Sequence, residues 1–493
     1  MAVTYEVPLS YTINVSLSST LSGLADFNTN SIAIFTNEKA GFSESYKAYI
    51  TPSAIESDFS TGSLTALMGS ALYTPVPNFR TGGGYLYIFP FDGVDATAGT
   101  LETVALSANI ANIQSITNGV LNLTIDGVAT QIENLNFTTV QSLADIVTVL
   151  QAQNLDVNIE ATADNKIKFT SRRYGVDGGV TIATATGSDG TDLYGANYLD
   201  GASAVVVAGV NASGQTLAQA VKQAQQQVYF GGVLTTQKLD NDSVIANATA
   251  IQSMDCTYYE CVTSLKNISV LGQAIKSAGL TKTRLLAYSM GADMAKQAVA
   301  TYATIAKSVN YSGTDTSNTL NLKTLTGIQP DTGLNDTYVL NAQTYGVDIY
   351  ANTGGLSVVY SNDNGAYTDE VEANLWLKKA IEVAGFNYLR QTNTKIPQTE
   401  SGMTGLKNAY TQVCVRGVNN GSFGAGEWNS AIPFGDPEDF AQNITNQGYF
   451  IYSIPVSQQP QTDREARKAP VVQIALKRSG AIHFSDVIVN IER

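Results

Sequence analysis

The stretch of this sequence that looks most capable of chemistry is LLAYSMGADMAKQ, Leu285 to Gln297. A strand that runs into Tyr-Ser-Met-Gly and then a helix has the outline of a nucleophile elbow, with Ser289 on the sharp turn. Ala287 stands where that strained turn usually needs its first glycine, and the one histidine, His483, falls inside a terminal strand pattern. A hydroxyl nucleophile needs a base and oxyanion donors beside it. No pair of motifs supplies them, so Ser289 reads as a helix N-cap and His483 as an ordinary strand histidine. The chain is expected not to be an enzyme; the competing reading is an α/β hydrolase using Ser289 and His483.

Other candidates are weaker. RTGGGY, Arg80 to Tyr85, leads into a strand and lacks the lysine and hydroxyl of a P-loop, so it reads as a turn. GSDGTD, Gly187 to Asp192, offers oxygen ligands without EF-hand spacing or a closing glutamate. Three cysteines, Cys256, Cys261 and Cys414, cannot form a disulfide framework, and one histidine leaves no zinc set. Buried free thiols in a reducing compartment are expected, and neither metal nor cofactor. DREARKAP, Asp463 to Pro470, holds the densest basic cluster, Arg464, Arg467 and Lys468. It is either a solvated charged turn or a docking patch for acidic neighbouring subunits, weakened by salt.

Composition narrows the class. The 493 residues suggest roughly two to four units. An apolar fraction of 44% suffices for packed cores, and 25 Tyr with 16 Phe favour sheet. Charged residues make up 14%, with a net charge of -14, so the basic footprint of a nucleic-acid binder is missing. The start lacks a signal-peptide pattern, and the longest apolar run, AVVVAGV at Ala204 to Val210, is too short to span a bilayer. The expectation is a cytosolic site of synthesis, with no nucleic-acid and no membrane partner.

The elements follow from periodicity. SIAIF (Ser31 to Phe35), a broken helix over Ser53 to Leu72 and GYLYIFPF (Gly84 to Phe91) make a β-α-β unit, which favours a parallel pair. From about Asp95 to Asn211 the chain turns Thr-, Asn- and Gly-rich without proline, with a hairpin signal at Asp126-Gly127 and a helical face of Leu143, Ile146, Val147 and Leu150. This reads as a β-rich insertion, after which helix and strand signals alternate again to about Asn362. Two helices, around Glu370 to Arg390 and Met403 to Val415, precede the strand YFIYSIPV and the ending APVVQIALKRSGAIHFSDVIVNIER.

Both ends look like strands. Val3, Tyr5, Val7, Leu9, Tyr11, Ile13, Val15 and Leu17 alternate with polar residues and have no local hairpin partner. Pro8 removes one N–H, which suits an edge strand or a lone added strand. From pattern alone the segment either pairs at home or is donated to a neighbour. At the other end Val472, Ile474 and Leu476 share a face, KRSG turns the chain, and Ile482 with Phe484 forms the next face. The parity then changes to Val487, Val489 and Ile491, which implies a bulge or a break.

The blocks TNTKIPQTESGMTGLKNA, TDREARKAP and LKRSGAIHF resemble the closing blocks of tail sheath proteins from contractile-tailed bacteriophages. KIP-x-T-x-x-G before an amphipathic helix is the most specific; VPLSYTINVSL and VYFGGVLTT also fit. The resemblance implies an α/β protein with a β-rich inserted domain, a multi-domain sheath subunit with extended N- and C-terminal strand arms. Its parts would be residues 1–20 (arm), 21–95 with 212–362 (discontinuous α/β core), 96–211 (inserted outer domain), 363–486 (C-terminal α+β domain, tube-facing, with the arm-receiving sheet) and 487–493 (C-terminal arm). Family members stack as hexameric rings around an inner tube and contract to drive it through the host envelope, joined by strand addition between subunits. Carried over, the arms are Val3 to Leu17 and Val487, Val489 and Ile491, and the receiving sheet includes Phe450, Tyr452, Val472, Ile474 and Leu476. The implied partners are further copies of the chain, the tail tube protein, and the baseplate and tail terminator proteins. The implied location is the virion tail, assembled in the host bacterial cytoplasm. A bacteriocin or secretion-system sheath has the same physics and is the alternative.

Overall fold

A computed structural model describes residues 27–391, 395–429 and 433–485, together with Ala25 and Val487. The arm positions Val3 to Leu17, Val489 and Ile491 lie outside the described residues. The chain runs through β1 (Ile32–Thr36), β2 (Lys47–Tyr49), α1 (Pro52–Asp58), α2 (Leu64–Tyr73), β3 (Leu86–Pro90) and β4 (Gly93–Val94). There follow β5 (Ala98–Glu102), α3 (Ile110–Gln114), β6 (Gly119–Ile125), β7 (Val128–Leu135), α4 (Leu143–Gln151), β8 (Val157–Ala161), β9 (Ile167–Tyr174), β10 (Val180–Ala183), β11 (Thr191–Asp192) and β12 (Val205–Val207). Then come β13 (Ser213–Gly214), α5 (Leu217–Ala224), β14 (Gly232–Thr235), α6 (Asn241–Ile251), β15 (Thr257–Val262), α7 (Asn267–Ser277), β16 (Thr283–Ala287) and α8 (Ala292–Ala306). The last part holds α9 (Asp336–Tyr345), β17 (Asp348–Thr353), β18 (Leu356–Tyr360), α10 (Thr368–Gln391), α11 (Glu400–Asn419), α12 (Pro437–Gln447), β19 (Tyr449–Ser453), α13 (Gln461–Glu465) and β20 (Val472–Leu476).

Two compact units result. Of the described residues, the smaller contains those within Leu377–Val415 and Ala425–Lys477; the larger contains Asn28–Trp376, Arg416–Gly424 and Arg478–Ser485. The larger unit is built on an eight-stranded sheet in the order β18-β17-β16-β15-β14-β1-β3-β2. Its inner strands pair in parallel, β1 with both β3 and β14, then β14, β15, β16 and β17 in sequence. Every residue of β1, β14, β15 and β16 is buried, as parallel strands with helices on both faces must be. One face packs on α1, α2 and α8, the other on α5, α6, α7 and α9. The pattern reading missed β15, because Glu260 interrupts TYYECV, and missed α6 and α9.

The insertion leaves and rejoins this core at adjacent points. β4 pairs with β13, and Thr97 and Val210 exchange backbone bonds of 2.8 and 3.1 Å. Between them, the order β10-β6-β11 with β7 on β6, and the order β12-β5-β9-β8, make two four-stranded sheets. With α4 they enclose one apolar cluster. The β6–β7 hairpin turns on Asp126 (φ 52°) and Gly127 (φ 80°). Both central residues are left-handed, the geometry that matches strand twist and that Asp-Gly tolerates. Ser142 and Asp145 close a capping box on α4, leaving Leu143, Ile146, Val147 and Leu150 buried as their spacing predicts.

The C-terminal stretch corrects one expectation. KRSG does not lead into a second hairpin strand: residues 479–485 have no strand structure, and Ile482 and Phe484 are exposed. His483 is therefore not a strand histidine.

Candidate assembly surface

The smaller unit is organised by β19 and β20, an antiparallel pair with Phe450 opposite Ala475, Ile451 opposite Ile474 and Ser453 opposite Val472. The face of Phe450 and Tyr452 packs on Phe434, Phe440 and Ile444, so α12 covers it. The face of Val472 packs with Met403, Leu406, Val456, Tyr388 and Tyr410, so α10 and α11 cover it. The expected receiving-sheet residues thus share one sheet but divide between its two faces.

The edges are another matter. The N–H of Lys477 donates to the carbonyl of Gly448 at 2.8 Å, which sets the phase of the ladder. In an antiparallel pair alternate residues turn their backbones outward, here Tyr449, Ile451 and Ser453 on one strand and Val472, Ile474 and Leu476 on the other. Among the described residues, no backbone hydrogen bond reaches Ile451, Ile474 or Leu476 on these edges. Among the described residues, then, the sheet leaves main-chain donors and acceptors unpaired along its edges, the feature that strand addition uses.

Motif residues buttress this sheet. Gly402, which ends KIP-x-T-x-x-G, must be glycine because a Cβ there would lie 2.2 Å from the carbonyl oxygen of Pro397. The Glu400 carboxylate accepts the N–H of Val456 at 2.6 Å. The carbonyl of Lys468 accepts from the side-chain amides of Gln398 and Gln459, both at 2.9 Å, tying the KIP block to the basic block. Arg464, in the short α13, and Arg467 and Lys468, just beyond it, are exposed, with Arg467 at φ 52° turning the chain. The Lys468 ammonium lies 3.4 Å from Asp463, an exposed pair of little energetic weight.

Ser289 turns out not to cap a helix. Gly291, at φ 113°, occupies the N-cap of α8, while Ser289 is buried against Asp331. Its N–H donates to Asp331 Oδ2 at 2.6 Å and its hydroxyl to Oδ1 at 2.8 Å, and the Gly333 N–H adds a bond of 2.8 Å. A hydroxyl that donates to a carboxylate held in this way is a structural staple. Ser289 does border a cavity of about 440 Å³ with Asp156, Arg172, Met290 and Tyr338, but His483 is not among its lining residues. His483 instead pairs with Thr319 and Tyr367. In the GSDGTD stretch both Asp192 oxygens accept backbone N–H groups, and no cluster of metal-binding side chains occurs among the described residues.

The charges that sequence reasoning missed lie inside the larger unit. Lys296 meets Glu260 at 2.6 Å, Arg284 meets Asp348 at 3.5 Å, and Lys307 pairs with Glu372. Tyr258, Tyr259 and Tyr302 donate to Glu260, Glu372 and Asp348 respectively. Burial raises the Asp348 pKa and lowers that of Lys307, in each case against the pull of its partner. For Lys296 burial is the largest single influence and acts downward, but the charge and hydrogen bond of Glu260, with Cys261 and Asp95, together outweigh it and the net direction is up. No periodicity signals such pairs, since the two partners of each lie far apart in the sequence. All three cysteines are buried and free, and burial pushes the thiols of Cys256 and Cys414 up to about 12.

The chain is thus an α/β protein carrying an insertion and a C-terminal sheet whose edges are open among the described residues. Residues 368–491 match the family described as E217 tail sheath protein gp31-like, C-terminal domain, and residues 96–189 match E217 tail sheath protein gp31, insert domain. Two separate parts of the chain thus match families named for one tail sheath protein, and the resemblance to phage tail sheath proteins is shown. No curated protein matches the sequence. Among solved structures, the flagellar cap protein FliD from Bdellovibrio bacteriovorus is 14% identical over 24% of this chain and 65% of its own length, with a TM-score of 0.17. That match spans less than two thirds of FliD, and a likeness so slight carries no argument. Among the described residues no helix is long and apolar enough to cross a membrane.

Proposed function

We propose that this chain is the subunit of a contractile tail sheath, polymerising as stacked hexameric rings around a tail tube and linked by β-strand addition between copies. The observation that carries the reading is the β19–β20 sheet, packed on both faces and open along its edges among the described residues, within the stretch that matches the sheath C-terminal domain. The N-terminal segment, with eight apolar residues in strict alternation from Val3 to Leu17, has the pattern such an edge would accept. Val487, which is exposed, begins the apolar alternation of the C-terminal arm. The exposed basic turn at Arg464, Arg467 and Lys468 suits contact with other subunits of an acidic protein.

Main-chain bonding at the arms would hold the mesh together while side-chain interfaces between subunit bodies change from one packing to another. The role is structural, with no catalysis and no cofactor, and the tube, baseplate and tail terminator proteins are the other partners. The alternative occupant of the same physics is the sheath of a bacteriocin or secretion system.

Negative-stain electron microscopy of the purified full-length chain, beside a version lacking Met1 to Leu17, tests the reading. Hollow striated cylinders that disappear on truncation are expected. A full-length chain that stays monomeric at high concentration, with or without tube protein, sinks it.

A further inference from the structure

We infer that His483, the only histidine of the chain, pins the root of the C-terminal arm so that Ile482 and Phe484 are offered to a second copy of the chain. The inference rests on the sheath reading and moves the start of the arm upstream of Val487. Beyond β20 the chain is fastened to the larger unit at successive points. Arg478 reaches Asn374 Oδ1 at 2.6 Å and Glu370 at 3.6 Å, and the Ser479 hydroxyl donates to the carbonyl of Gly421. The last fastening is His483. Its Nε2 lies 2.9 Å from the Thr319 hydroxyl, and its ring stands edge-on to Tyr367, with centroids 4.6 Å apart at 82°.

The residues on either side behave oppositely. Ile482 is 92% exposed and Phe484 70% exposed, the alternation of an extended segment with one side docked and the other free. Val487 is 77% exposed, and the sequence after it holds the apolar residues Ile488, Val489 and Ile491. The twelve residues from Ile482 to Arg493 could span ~40 Å when extended. Two large apolar side chains held outward from the body, at the head of an apolar tail of that reach, fit burial by a second copy. Fixing the root also limits the orientations the tail must give up when it binds. His483 Nδ1 is buried and has no hydrogen-bond partner among the described residues, so the docked ring is held by its Nε2 contact and by Tyr367.

The test uses full-length protein and two readouts, the lowest concentration that yields cylinders and the melting temperature of the unassembled subunit. The double variant Ile482→Ser with Phe484→Ser and the single variant His483→Ala should each raise the assembly concentration about tenfold. His483→Gln, which keeps a hydrogen-bonding group toward Thr319, should recover all but about threefold. All should leave the subunit's melting temperature within about 2 °C of wild type. If both sets assemble like wild type while removal of residues 482–493 abolishes cylinders, the arm stands and the pin is overturned. If His483→Ala acts by melting the subunit and His483→Gln fails to rescue, the residue is merely structural and the inference is also overturned. If wild type forms no cylinders, the sheath reading falls and the inference with it.

Discussion

The eight-stranded sheet and the two-stranded sheet of this protein treat their edges in opposite ways. In the large sheet β18 is covered on its outer side: Leu322 donates to the Val359 carbonyl and Val359 donates to the Lys323 carbonyl, both at 2.8 Å. The other edge, β2, is three residues long and carries Lys47, which pairs with Asp58. Short charged edges and edges sealed by loop backbone are ways to prevent unwanted pairing. The β19–β20 sheet is packed on both faces but mostly half-buried, with only Ser453 and Ala475 buried, and the outward backbones of Ile451, Ile474 and Leu476 find no such cover among the described residues. The difference separates a sheet whose edges are closed by its own chain from one whose edges are open among the described residues.

The largest expected effect breaks the larger unit. Glu372→Ala would strand Lys307 and Tyr259 in the core, and the loss of one partner of a buried pair costs about 3–5 kcal/mol in urea unfolding. Lys307→Met with Glu372→Leu should be closer to wild type than the single variant, because no charge is then left alone. A double variant as unstable as Glu372→Ala would show that the pair does more than balance itself.

Next in size is a matched pair of prolines. Ile474→Pro removes an outward N–H that only an added strand would use, so it should weaken cylinder formation about tenfold while changing subunit stability by no more than about 1 kcal/mol. Val359→Pro removes an N–H already bonded to Lys323, so it should cost the subunit about 1–3 kcal/mol. The comparison fails if both prolines act on the isolated subunit alike.

The smallest effect concerns the thiols, one reporter in each unit. Cys256 lies in the larger unit and Cys414 in the smaller, and both thiols are raised by burial to about 12 from an ordinary value of 9.0. A folded-state value above the unfolded one gives stability that is intact below about pH 9 and declines as pH climbs from there toward 12, because only the unfolded chain releases the proton. Urea midpoints at pH 8 and pH 10.5 should therefore fall at the higher pH. At neutral pH a thiol reagent should reach either cysteine only through unfolding. Faster labelling of Cys414 than of Cys256 would mark the smaller unit as the one that opens first.

Much of the fold was legible because it repeats. The β6–β7 hairpin followed from Asp126-Gly127, helix α4 from a spaced apolar face, and the parallel pairing of β1 with β3 from the β-α-β order of SIAIF, a helix and GYLYIFPF. β15 was hidden because Glu260, which sits in an apolar run, is neutralised by Lys296 on α8, a partner distant in sequence. Ser289 was misread for the same reason: its cap-like position was visible, but its real partner, Asp331, is brought in by a separate loop. The fate of Ile482 and Phe484 was also beyond local pattern, since their alternation suits a paired strand and an exposed arm equally well.

The sequence by itself determined the class of the strongly periodic segments, the insertion, and the motif blocks that resemble sheath proteins, because backbone preference and side-chain periodicity act between near neighbours. Only the tertiary structure decided which charges are paired, which serine is tied down, and which strand edges stay open. Those outcomes depend on groups far apart in the chain meeting at hydrogen-bonding distance, and no local spacing encodes such a meeting.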